Sequence, residues 1–152
     1  MVTIITELSK YAMILSLAIY TVLGFRLVRR DEAGKKAALW QQNVLMFGMH
    51  FLGNLTLYLS TENEKIFLFY IAQLGAFALF LVLQKVLYPN ADQLLNHNML
   101  LLLSVGLLML TRLSFDKAER QAELAALAAV LTFVIPVIIR KSGRLRNLYW
   151  LY

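Results

Sequence analysis

The hydrophobic positions of this chain fall in five long blocks separated by short polar stretches, rather than in periodic stripes. A block without a polar face cannot lie on the surface of a soluble domain. In a bilayer it can, because a helix closes its own backbone hydrogen bonds and needs only an apolar exterior. About twenty apolar residues suffice to cross the hydrocarbon. The blocks therefore predict spans over residues 8–28, 37–60, 66–88, about 95–113 and about 122–139. The pattern is plainest over residues 99–146, where two apolar runs flank the charged turn SFDKAERQ and a basic cluster, RKSGRLR, closes the second run. The expected fold is an all-α integral membrane bundle of about five transmembrane helices. Pro89 ends the third span, since proline cannot continue the hydrogen-bond ladder, and Pro136 bends or loosens the fifth.

Composition sharpens this. Of 152 residues, 60% are hydrophobic and 16% charged, and the mean hydropathy is +0.65; a soluble domain carries about 25% charged residues. Net charge +6 is explained by Lys and Arg retained in cytoplasmic loops, and no nucleic-acid partner is expected from charge spread this way. The absence of cysteine excludes a disulfide framework and thiolate metal sites. The first span is not a cleavable signal, because Arg26, Arg29 and Arg30 follow its apolar run instead of preceding it.

Five spans put the termini on opposite sides. With the N-terminus outside, ten basic residues are cytoplasmic: Arg26, Arg29, Arg30, Lys35, Lys36, Lys85, Arg140, Lys141, Arg144 and Arg146. Five, namely Lys10, Lys65, Arg112, Lys117 and Arg120, are outside. The positive-inside rule favours this N-out, C-in arrangement in a plasma membrane. Arg140 to Arg146, followed by Tyr149, Trp150 and Tyr152, read as an inner-leaflet anchor with an aromatic belt.

Candidate chemistry is sparse. Asn43, His50 and Asn54 are spaced by seven and four and share one helical face, with Gln73 in the next span as a polar partner for them. Such a stripe either hydrogen-bonds across helices or relays protons, and with one ionisable member and no acid the first reading is favoured. His50 and His97 lie on different elements without a carboxylate partner, so neither a metal site nor a cofactor is expected. The triplet Asn54-Leu55-Thr56 falls inside a span, out of reach of glycosylation. Ala118, Ala122 and Ala126 recur every four positions with Ala125 and Ala129 beside them, the small-residue spacing that lets membrane helices approach closely. Arg112, Lys117 and Arg120 in the charged turn either belong to a solvated interface or face anionic lipid phosphates.

The run GLLMLTRLSFDKAERQ, then an apolar helix, IPVIIRK and RLRNLYWLY, resembles the start of the conserved region of SEDS proteins, the RodA/FtsW/SpoVE group. In particular it is similar to the bacterial members that carry extra N-terminal helices. On that resemblance residues 1–95 are three extra spans, and residues 96–152 are the first two helices of the conserved region. The resemblance implies a peptidoglycan glycosyltransferase that polymerises lipid II and works with a class B penicillin-binding transpeptidase. It also implies several further helices with the catalytic acid among them, so no residue here receives the catalytic role and the chain is expected to be an inactive N-terminal fragment. The alternatives are a free-standing small membrane protein that packs against a partner helix, or a small transporter using the polar stripe.

The orientation is testable because the chain has no native cysteine. A cysteine introduced by Asp116→Cys should react with a membrane-impermeant reagent in intact cells. Reaction only after permeabilisation would invert the topology.

Overall fold

A computed structural model describes residues 2–27 and 32–141, with the side chains of residues 4–27 and 34–138. Among the described residues it contains five helices and no strand: α1 (Val2–Leu27), α2 (Glu32–Thr61), α3 (Glu64–Leu87), α4 (Gln93–Leu113) and α5 (Phe115–Lys141). All five are long and apolar enough to cross a membrane. Arg29, Arg30, the segment from Arg144 onward with its three aromatics, and the side chains of Arg140 and Lys141 lie outside the described residues.

The turns are short, and local chemistry explains each. Thr61 ends α2 because Glu62 takes a positive φ of 50°, the left-handed conformation that terminates a helix, while its N–H still reaches the Tyr58 carbonyl at 2.8 Å. Asn63 then caps α3, its Oδ1 accepting from the Lys65 N–H at 3.0 Å. Pro89 follows α3, and Asp92 caps α4 by accepting from the Leu94 N–H at 2.9 Å. Between α4 and α5 only Ser114 is extended; its N–H donates to Leu110 O at 2.7 Å and its own carbonyl accepts from the Ala118 N–H at 3.1 Å.

This last turn is tighter than the sequence suggests. The charged stretch expected to form a turn up to residue 121 is instead the opening of α5, which begins at Phe115. Asp116 in the first turn suits the positive end of the helix dipole. The Phe115 ring also packs edge-on to Phe69 of α3, with centroids 5.3 Å apart.

In the bundle, α2 packs on α1, α3 and α4, while α4 carries α5 on its other side. The core joins Tyr20, Met46, Phe77, Phe80, Leu100 and Leu107. Residues at the periphery, such as Phe25, Leu102 and Leu113, expose their apolar side chains, as a lipid-facing surface does. α5 is the loosest member, since no described residue beyond Ala118 in it is fully buried. Pro136 gives α5 no N–H for the Thr132 carbonyl; one residue along, the Tyr88 hydroxyl donates to the Phe133 carbonyl at 3.1 Å, tying α5 to the α3–α4 turn.

α2 and α4 cross at Gly53, where a Cβ would overlap the Leu108 side chain. Gly53→Val should therefore destabilise the bundle by about 1–3 kcal/mol, read as a lower thermal midpoint in detergent. Adding Leu108→Ala should recover part of the loss; strictly additive losses would show that the two positions do not compete for space.

Candidate functional site

Polar side chains in the spans are drawn to the seams between helices. Gln42, His50, Asn54, Gln73, His97, Ser104 and Thr111 are all buried. A carboxamide or imidazole exposed to hydrocarbon would forfeit its hydrogen bonds, so each helix is rotated to turn these groups inward.

The centre of the bundle holds His50. Its Nδ1 lies 2.8 Å from Ser104 Oγ on α4. Asn54, one turn along α2, donates its amide to the His50 carbonyl at 2.9 Å and lies 3.4 Å from Nδ1. Ser104 Oγ and the Asn54 amide both lie against Nδ1, and the hydroxyl donates to that nitrogen or accepts from it according to the ring tautomer. Nε2 is sealed from solvent with no hydrogen-bond partner. The imidazole is held between aromatic rings of α3, with Tyr70 and Phe77 centroids 5.3 and 5.2 Å away. Gln73 sits between these two residues on the same face of α3, buried, with both carboxamide atoms unpartnered.

The stripe read from the sequence is thus divided. His50 and Asn54 form one cluster, and its cross-helix bond goes to Ser104 rather than to Gln73. Asn43, roughly 10 Å further along α2, belongs to a separate pocket with Gln84, Asn96 and His97. The sequence pattern did not mark out Gln42, Gln84, Asn96 or Ser104. Ser104 lies in a leucine run where a lone serine is unremarkable, and Gln42 is sealed where α1 meets α2, beside Gly24.

Chemically, the central cluster is a neutral hydrogen-bonded clamp. Among the described residues no carboxylate bonds to it, and no three His, Cys, Asp or Glu side chains converge as a metal site would require.

The other candidate positions lie at the α4–α5 end and along α5. Arg112, Lys117 and Arg120 are exposed and make no ion pair among the described residues. Ala118 is fully buried, Ala122 and Ala129 pack against the core, Ala125 is half-buried and Ala126 is exposed. Beyond Ala118 this alanine face borders a groove of about 530 Å³ between α3, α4 and α5, into which Gln73, Glu123 and Thr132 bring the polar groups. In comparisons with known proteins, no family model, no curated protein and no solved structure matches the chain.

A double-mutant cycle measures the central clamp. His50→Leu and Ser104→Ala should show a coupling of about 0.6–1.7 kcal/mol in detergent unfolding. A coupling indistinguishable from zero would mean that the 2.8 Å contact does not stabilise the bundle.

Proposed function

We propose that this chain forms the N-terminal membrane part of a SEDS-type peptidoglycan glycosyltransferase, lying N-out and C-in in a bacterial plasma membrane. The observation that carries the reading is the order of short elements along the α4–α5 hairpin. LTRL closes α4, a single serine turns the chain, and DKAERQ opens α5, whose apolar run leads to IPVIIRK. The lysine and arginine asymmetry of the loops supports the same orientation.

On this reading α1, α2 and α3 are a supporting layer, and their role is packing rather than chemistry. They hold α4 through Ser104 and through the Asn98 carboxamide, whose Oδ1 accepts from the Tyr20 hydroxyl of α1 at 2.9 Å. Arg112, Lys117 and Arg120 lie where the α4–α5 turn leaves the hydrocarbon, in position to meet lipid phosphates, with lipid II as the substrate of the whole polymerase. The catalytic acid and the contacts to a class B penicillin-binding transpeptidase belong to helices beyond the hairpin. The groove beside α5 favours a second reading, a free-standing membrane protein that receives one helix of a partner there.

A chimaera separates the two. Residues 1–146 joined to the remaining helices of a SEDS polymerase should restore growth in a strain depleted of its own polymerase, while residues 1–152 alone should not. A chimaera that inserts and accumulates normally yet fails to restore growth would sink the SEDS reading.

A further inference from the structure

The second polar cluster, at the end of the bundle that carries the α3–α4 turn, is a pocket of about 130 Å³ built from α2, α3, the turn and α4. Asn43, Gln84, Lys85, Tyr88, Asn96 and His97 line it. Four polar atoms of these residues, Asn43 Oδ1, Gln84 Oε1, Asn96 Nδ2 and His97 Nδ1, are sealed from solvent and have no hydrogen-bond partner among the described residues. His97 is 4% exposed, so its imidazole cannot turn away to water. Buried polar groups left unpaired cost stability, and the residues that carry these four come from three helices to line one pocket.

We propose that this pocket binds a phosphate group, and specifically that of an anionic lipid headgroup. The charge points that way. Lys85 is the one formally charged side chain among the lining residues, and no carboxylate is among them. Asp92, the nearest acid along the chain, is engaged in capping α4 through the Leu94 N–H. The first turn of α4 brings the positive end of a helix dipole beside the pocket and the last turn of α3 the negative end of another, so the net charge there is that of Lys85. Asn96 presents an amide N–H₂, the carboxamides of Asn43 and Gln84 can turn theirs inward, and His97 can donate from Nδ1.

Depth selects the ligand. The pocket, about 130 Å³, has room for one phosphate group. Lys85 is in the last turn of α3, and Asn96 and His97 are within the first two turns of α4, so the pocket opens where two spans leave the hydrocarbon. A phospholipid delivers its phosphate at that depth, and its acyl chains lie along the apolar faces of α3 and α4 below. This inference stands independently of the glycan-polymerase reading.

The test is ligand-induced stabilisation of purified residues 1–152 in neutral detergent. Phosphatidylglycerol should raise the thermal midpoint by several degrees, and phosphatidylcholine should not. Lys85→Gln and Asn96→Leu should each abolish the rise, with Asn96→Leu raising the midpoint of the lipid-free protein because it removes an unpaired buried amide. Lys36→Gln, an exposed cation outside the pocket, should leave the rise intact and so controls for non-specific attraction. A rise with inorganic phosphate that needs the same two residues would keep the phosphate site but assign it to a free solute. No rise with any of the three, or a phosphatidylglycerol effect that survives Lys85→Gln, would overturn the proposal.

Discussion

Hydrocarbon offers no hydrogen-bond partner, and that constraint sets the rotation of every helix in this bundle. A soluble domain hides its leucines and shows its amides; here the distribution is reversed. Gln42 and His50 are almost wholly enclosed, while Phe25 and Leu102 are about three-quarters exposed at 76% and 73%. Leucine and lipid tails are equally apolar, so burial of leucine gives these helices no reason to associate. The polar groups do supply one. His50 on α2 reaches Ser104 on α4, and Tyr20 on α1 reaches Asn98 on α4, so α4 is held from two sides by bonds that could form nowhere else in the membrane.

The same constraint explains which parts of the fold were legible in the sequence. Spans were legible because their apolar blocks have no alternative home, and the five helices fall where the five blocks do. Ends were less so. Block edges mark where hydrocarbon stops, whereas a helix stops where capping and backbone geometry end it. Thus α5 begins at Phe115, several residues ahead of its apolar run, because Asp116 suits a helix start and Phe115 finds Phe69. Likewise α2 begins at Glu32, well before its apolar block, over residues that favour a helix without favouring lipid.

Pairing was the least legible level. Periodicity places Asn43, His50 and Asn54 on one face, and it is silent on what stands opposite. That depends on how far α4 slides along α2, a displacement fixed by contacts such as Gly53 against Leu108. At the resulting register Ser104 meets His50, while Asn96 and His97 meet Asn43 and Gln84. A slide of one turn, roughly 5.4 Å, would exchange these partners without altering a single residue of the pattern. Asn96 and His97 fall at the edge of the fourth apolar block in the sequence; in the fold they are one wall of a pocket.

The two polar clusters each keep unpaired atoms and differ in where they lie along the bundle, although both obey the same rule. At His50 the groups on α2 and α4 satisfy one another at Nδ1, and aromatic rings close over the imidazole, which makes the cluster a fastening. Around His97 the polar residues line a shared pocket bordered by a lysine, at a depth where water and headgroups are close by. A protein that needed only a fastening there could have used leucine, since replacing unsatisfied buried polar groups with apolar ones of similar shape is neutral or stabilising. α5 presents the apolar counterpart, a helix tied by Tyr88 and Phe115 but open along its alanine face, so α2 is packed on three sides and α5 far less.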